Sequence, residues 1–275
     1  IELVGAKPVL VDINKTTFTI DISKIAPAIT KNTKAIIAVH LYGHPVEIIK
    51  LKYICEKYNL KLIEDVSQAH GAKFESKFLG SFGDIGCFSC YPTKNLGACG
   101  DAGLVTTRSV KIAKKIKLLR EYGWDNRISK IPGQNSRMDE IQASILRIKL
   151  KNLKKNNLKR KKIANYYYYN LKNTALELPV TKNNCTHVYH QYVVKTKLRD
   201  DLKLYLESQS IFAGIHYALP VHKHPAYTNR IFISENLKNT ESISSEILSL
   251  PIYPGLEEKE CDRIIKVIHQ FFGAQ

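Results

Sequence analysis

Apolar positions recur with two different periods along the first half of the chain, and each change of period marks a new element. Runs rich in β-branched residues, Pro8-Val-Leu-Val-Asp12, Ala35-Ile-Ile-Ala-Val39 and Leu60-Lys-Leu-Ile63, read as strands. Between them lie stretches at helical spacing, Ser23 to Thr30 and Glu47 to Tyr58, the second with Ile48, Leu51 and Ile54 on one stripe. Gly86 to Cys90 and Gly103 to Thr107 read as further strands, followed by a helix from Val110 to Tyr122. This alternation predicts an α/β fold with a mostly parallel sheet covered on both faces. In such sheets ligands bind beyond the carboxyl ends of the strands, so the informative residues should follow strands.

From about Ser136 to Leu171 the pattern predicts one long helix. Met138, Ile141, Ile145 and Ile148 form one apolar stripe, and Leu146, Leu150 and Leu153 a second. Lys149 to Lys162 makes the remaining face basic, which reads as a solvated face. After Pro179 and Asn183-Asn184 the pattern restarts with a strand at Gln191–Lys195, a helix at Asp200–Ser208 and a strand at Gly214–His216. Helices at Glu241–Leu248 and Glu258–Phe272 close it. The expected organisation is a large domain over residues 1–150, then the long linking helix with a smaller α+β domain over 151–275.

Composition narrows the function classes. With 44% hydrophobic residues the chain is not disordered. No run approaches the ~18 apolar residues of a membrane span, so no membrane partner is expected. The formal charge of +17 is spread over the whole chain, without an aromatic-interleaved basic motif. We therefore expect no nucleic-acid partner; the positive field would still draw in an anionic substrate such as a nucleotide sugar. The six cysteines are too thinly spread for a disulfide framework, which points to reduced thiols and a cytoplasmic protein. Cys87 and Cys90 have redox spacing but lie inside a strand-like run, with no second pair to complete a zinc site. The chain opens, without methionine, on what reads as the middle of a helix-to-strand connection, so the natural start is expected upstream of Ile1.

Three segments carry chemistry: Glu64-Asp-Val-Ser-Gln-Ala-His-Gly71, Ser89-Cys-Tyr-Pro-Thr-Lys-Asn-Leu-Gly97 and Gly133-Gln-Asn-Ser-Arg-Met-Asp-Glu140. Asp65 ends an apolar strand, where a carboxylate is costly to bury without a cationic partner such as a protonated pyridine nitrogen. Lys94 follows a strand in a loop between Pro92 and Gly97, where lowered proton affinity would let it form an imine and shuttle a proton. Ser89 offers a hydroxyl that could meet a phosphate. On this chemistry alone a pyridoxal 5'-phosphate site is one possibility among several.

Together and in this order, the segments resemble the DegT/DnrJ/EryC1/StrS family of pyridoxal-phosphate sugar aminotransferases. That family is known by Asp-x-x-Gln-Ala-His-Gly, Ser-x-x-Pro-x-Lys-Asn-Leu and Gly-x-Asn-x-Arg-Met/Leu-Asp-Glu stretches. The likeness runs from Gly5-Ala-Lys-Pro-Val9 to Leu250-Pro-Ile-Tyr-Pro254. It implies the fold type I (aspartate aminotransferase-like) architecture, a large domain with a mostly parallel mixed sheet and a smaller C-terminal α+β domain. It also implies roles: Asp65 on the pyridine nitrogen, Gln68 on the cofactor's 3′-oxygen, Ser67 against the ring and Ser89 on the phosphate. Lys94 becomes the Schiff-base lysine and proton shuttle. Asn135 would meet the phosphate of a neighbouring subunit's cofactor, which implies a homodimer with shared active sites. His70 is either packed or catalytic.

The implied reaction moves an amine from an amino acid, usually glutamate, to a keto-sugar carried on a nucleotide. The stretch Gly214 to Tyr227 resembles the substrate-side loop of members that aminate a dTDP-linked keto-6-deoxyhexose, and in form those acting at sugar C3. His216, Tyr217 and His222, with Tyr42, Trp124 and Arg127, are the expected substrate-lining residues. No metal is expected, since His222 and His224 stand beside prolines without a carboxylate companion. The dehydrating relatives replace the lysine by histidine, and Lys94 argues against that branch. The family's opening quarter, with a Gly-Thr turn at a helix N-terminus that holds phosphate, has no counterpart in the 275 residues. The alternative is therefore an impaired truncated homologue or a non-catalytic partner subunit.

Overall fold

The computed structural model describes residues 1–273. The chain begins with β1 (Val9–Leu10), α1 (Ile25–Ala28), β2 (Ala35–Val39), α2 (Ile48–Lys57) and β3 (Lys61–Asp65). Next come β4 (Lys73–Phe74), β5 (Lys77–Phe78), β6 (Ile85–Ser89), β7 (Gly103–Thr106) and α3 (Val110–Leu119). A hairpin of β8 (Trp124–Asp125) and β9 (Ile128–Ser129) leads into α4 (Glu140–Leu171). The remainder comprises β10 (Cys185–Thr186), β11 (Tyr192–Lys195), α5 (Arg199–Ser208), β12 (Phe232–Ile233), α6 (Lys238–Glu246), β13 (Ile247–Leu250) and α7 (Glu258–Gly273).

The main sheet has the order β2-β3-β6-β7, with β2, β3 and β6 parallel and β7 antiparallel to β6. Val39 lies opposite Asp65 and Asp65 opposite Cys87, so β2 and β3 end level while β6 runs on two residues to Ser89. Side chains alternate across a strand, and that alternation sorts the two faces. Ile36, Ala38 and Leu62 pack with Ile48, Leu51 and Cys55 of α2, which recur at one helical face. The other face is open: Ile37 and Val39 are 38% and 39% exposed, and all four residues of β7 are exposed. The expected cover on both faces is thus met on the α2 side alone among the described residues.

A second core gathers the C-terminal half of α4, α5, α7 and the antiparallel pair β11–β13, with Tyr167, Leu171, Tyr192, Leu206, Leu248 and Ile268 inside. α4 runs through residue 150 without a break. Leu146 packs against Cys90, Leu96 and Ala98 below the main sheet's site end, while Tyr167 and Leu171 enter the second core. Neither predicted stripe is buried along its length: Leu146, Leu153 and Met138 pack on the protein, whereas Leu150, Ile141 and Ile148 are 55%, 73% and 65% exposed. Two elements differ from the sequence pattern. The helix expected to reach Leu248 stops at Glu246, because Ile247 to Leu250 are all buried and pair with β11 as a strand. Gly214–His216 is not a strand but a single bridge from Gly214 to Ser249.

Candidate active site

Consecutive carboxylates end β3 and go to opposite faces. Glu64 is fully buried on the α2 side. Its oxygens accept from the backbone N–H of Gly80 (2.8 Å), Phe82 (2.8 Å) and Gly83 (2.7 Å). His40 Nδ1 accepts from Val46 N–H (3.1 Å), so its Nε2 carries the proton it donates to Glu64 (3.3 Å). Burial pushes the Glu64 pKa up, but the hydrogen bonds from His40, Gly83 and Gly80 outweigh it and hold the group ionised below its ordinary value. Asp65, on the open face, is only half-buried, and its Oδ1 accepts one hydrogen bond, from Ser67 N–H (3.0 Å).

Lys94 belongs to the loop that follows β6, the strand paired with β3. Its own N–H bonds Tyr91 O (2.9 Å), and Ala98 N–H returns to Cys90 O (2.8 Å), so the loop closes on itself. Gly97 permits this closure, since a Cβ there would overlap the Pro92 carbonyl. Burial lowers the Lys94 pKa from its ordinary value, and the Asp65 carboxylate partly opposes that shift. Ser67 Oγ accepts from Ser89 N–H (3.3 Å), which ties the β3 end to the β6 end. Ser89 Oγ accepts from Tyr91 N–H (3.4 Å), leaving its own hydroxyl proton to donate elsewhere.

Above Asp65, residues distant in sequence converge. Gln68 Oε1 accepts from Tyr42 N–H (2.6 Å), which orients its Nε2 to donate, here to the Tyr217 hydroxyl (3.3 Å). The Tyr42 hydroxyl, whose pKa burial raises, donates to the His216 carbonyl, and His216 Nδ1 bonds Ser249 Oγ (2.9 Å). The expected residues Tyr42, Gln68, His216 and Tyr217 are thus joined in one hydrogen-bonded group. His70 is buried beside Phe88, and neither of its ring nitrogens has a hydrogen-bond partner. Burial, then the charge of Lys94, lowers its pKa to about 4, so the ring is neutral.

Three expected residues lie elsewhere. Arg127 is exposed at the tip of the β8–β9 hairpin, where Asn126 and Arg127 both have positive φ (51° and 62°), the turn such a hairpin requires. Asn135 is exposed and its Oδ1 accepts from Arg137 Nε (3.0 Å). His222 does have a carboxylate companion after all: its Nε2 meets Glu241 of α6 at 2.9 Å. That single pair makes no metal centre, and among the described residues no group of three or more His, Cys, Asp or Glu is placed to hold one.

Sequence reasoning missed a polar chain behind Lys94. Asn157 of α4 donates to His70 O (2.8 Å), and Asn95 donates to Asn157 Oδ1 (3.0 Å) and Val188 O (3.1 Å). Asn95 Oδ1 then meets His190 Nδ1 (3.1 Å). Arg160, buried on the same helix, donates to the carbonyls of Tyr189 (3.1 Å), His190 (3.3 Å) and Ile252 (2.9 Å). These partners lie 29 to 95 residues apart, beyond the reach of any local signal.

An amine of lowered proton affinity and a carboxylate end neighbouring parallel strands, with a donor-ready hydroxyl and an unpartnered buried imidazole beside them. That set fits pyridoxal phosphate, with Asp65 for the ring nitrogen, Lys94 for the aldehyde and Ser89 for the phosphate. Fold and site together define a fold type I pyridoxal-phosphate aminotransferase. The chain belongs to the DegT/DnrJ/EryC1/StrS aminotransferase family, whose pattern matches residues 1–269. It is 43% identical over 268 residues to a dTDP-3-amino-3,6-dideoxy-alpha-D-galactopyranose transaminase of Aneurinibacillus thermoaerophilus, covering 97% of this chain and 73% of that one. A DegT DnrJ EryC1 StrS aminotransferase from Brucella abortus superposes with a TM-score of 0.95 at 33% identity, over 99% of this chain and 75% of that one. The ntda protein from Bacillus subtilis, solved with bound cofactor PMP, superposes at 0.87 with 34% identity, over 97% of this chain and 62% of that one.

Proposed function

We propose that this chain is a pyridoxal-phosphate-dependent nucleotide-sugar aminotransferase that moves an amino group from an amino acid, glutamate, to a dTDP-linked 3-keto-6-deoxyhexose. The observation that carries the reading is Lys94: a half-buried amine of lowered proton affinity, one loop away from the Asp65 carboxylate. The Aneurinibacillus relative's name, and the Tyr217 hydroxyl that meets Gln68 from the Gly214–Tyr227 stretch, support this choice of sugar and position.

Bound pyridoxal phosphate supplies an aldehyde that takes up the amine and a ring that withdraws electrons. The protein's part is done by named side chains. Lys94 Nζ takes and returns the proton at the reacting carbon, as base in one half-reaction and acid in the other. Asp65 keeps a cation paired at the strand end. Gln68, its carbonyl oxygen engaged by Tyr42 N–H, presents Nε2 as a donor to an oxygen in the cleft. Ser89 donates its hydroxyl to an anionic phosphate, with Ser67 holding the strand end that carries it. Tyr42, His216 and Tyr217 form the substrate wall. Asn135 serves a second copy's site in a homodimer, for which the exposed Ile141 and Ile148 of α4 offer an apolar surface. Arg127, at its hairpin tip, and His222, paired with Glu241, are the remaining substrate contacts in this reading.

The test is a visible absorbance band on adding pyridoxal phosphate, lost in Lys94→Ala and shifted by glutamate in the wild type. A product-mass assay over a panel of nucleotide keto-sugars then names the acceptor. A wild-type chain that forms no such band overturns the reading.

A further inference from the structure

The polar chain behind Lys94 settles the protonation of a histidine that faces it. Two backbone carbonyls anchor the chain, and carbonyls only accept. His70 O therefore takes the amide N–H of Asn157, which turns Asn157 Oδ1 towards Asn95. That oxygen and Val188 O both need donors, and the Asn95 amide nitrogen supplies both. Asn95 Oδ1 is left to face His190 Nδ1, which must then carry the hydrogen. His190 is accordingly the Nδ1–H tautomer, with a bare lone pair on Nε2. Its backbone is held as firmly, since Arg160 donates to the carbonyls of both Tyr189 and His190.

The charged and titratable groups around that ring are Lys94, Arg160, His70 and His216. Arg160 is already committed to three carbonyls and His216 to Ser249. Neither His70 ring nitrogen completes a hydrogen bond, and among the described residues Lys94 Nζ makes no side-chain hydrogen bond, the Asp65 charge being the one group that acts on it. Burial first, and then the charge of Lys94, brings the His190 pKa down to about 3, so the ring stays neutral at every pH the enzyme would meet.

We infer that His190 is a positioning residue for Lys94: Asn95 fixes its tautomer so that Nε2 stays free to accept from the Lys94 amine, a bond that the described side-chain positions do not yet make. The residue next to the reactive lysine thus sets the acceptor that aims it. Such an acceptor favours the protonated amine slightly and confines the free amine to one direction, offsetting part of the burial effect. The inference rests on Lys94 being the reactive amine. That premise fails by itself if Lys94→Ala keeps the absorbance of added pyridoxal phosphate.

The full chain tests it without turnover. Nitrogen chemical shifts of His190 should report Nδ1–H in the wild type at neutral pH, and a mixture of tautomers in Asn95→Ala. The pH profile of Lys94 acylation, read by peptide mass, should fall in midpoint by about half to one pH unit in His190→Leu, where burial acts unopposed. It should return towards wild type in His190→Gln, which restores an acceptor. A wild-type Nε2–H ring overturns the inference even if the variants fail to fold. So does a Lys94 profile that His190→Leu leaves unmoved.

Discussion

The two faces of the main sheet treat neighbouring carboxylates in opposite ways. On the α2 side Glu64 is sealed, with three backbone N–H groups and His40 meeting its oxygens. On the open side Asp65, the next residue, keeps one hydrogen bond and partial exposure. The first arrangement spends every lone pair on the fold; the second leaves charge free for a cation that the chain itself does not supply. One strand therefore serves both as scaffold and as site, with alternation across the pleat assigning the roles. Lys94, Ser67 and Ser89 gather at the same strand ends as Asp65, where a parallel sheet leaves room for a ligand.

Breaking the sealed face should have the largest effect on stability. Glu64→Ala removes the acceptor from three backbone donors and a buried imidazole, and we expect a loss of about 3–5 kcal/mol in denaturant unfolding, enough to leave much of the chain unfolded. A loss below about 1 kcal/mol would mean that water enters and replaces the carboxylate, and the contrast between the faces would collapse. Glu64→Gln keeps one carbonyl acceptor and should fall between the two.

Acid sharpens the comparison, because the two sides should fail at different pH. His70 and His190 titrate near 6.5 when unfolded but only at about 4 and about 3 when folded. The unfolded chain therefore binds more protons below 6.5, and stability that is complete above that value falls as pH drops towards the folded values. Each ring accounts for about 1.4 kcal/mol per pH unit across that window. Glu64 has a lowered folded pKa, so its contribution is present above its unfolded value of 4.5 and lost only as pH falls through the folded one. Stability should begin to fall just below pH 6.5 through His70 and His190, with the buried His44 and His187 adding to the same slope, and steepen below 4.5 through the sealed side. His70→Phe should flatten the first slope, read as the urea midpoint against pH, and leave the second in place.

Much of this contrast was legible in the sequence, and the rest was not for identifiable reasons. Ala35–Val39 is legible because its apolar run is uninterrupted between Lys34 and His40, whereas Lys94 and Asp65 are weak signals singly and stand out through the three ordered motifs that hold them. The long helix was legible as well, since its apolar repeat continues for nine turns' worth of chain and only its first residues differ. Ile247 and Leu248 read as helix because with Ile243 they continue a helical repeat, and only the pairing with β11 turns them into strand. The open face was also invisible: Ile37 and Val39 are as apolar as their buried neighbours, and exposure is set by what packs on them. Asn95 stands in the Lys-Asn-Leu stretch and His190 just before a strand, but nothing local joins them to Asn157, because only the fold aligns the three.

The smallest effect on stability is expected at Asp65 itself, and it tests the open side directly. Asp65→Asn keeps the shape and an oxygen that can still accept from Ser67 N–H, so unfolding should change by no more than about 1 kcal/mol. What it removes is charge. Asp65 is the group that opposes the effect of burial on Lys94, so without it the Lys94 pKa should fall further, and the acylation midpoint with it. The same variant should lose affinity for pyridoxal phosphate, because the ring nitrogen loses its counter-ion. A strongly destabilised Asp65→Asn with an unmoved Lys94 profile would place Asp65 with Glu64, as scaffold, and leave the strand without a site.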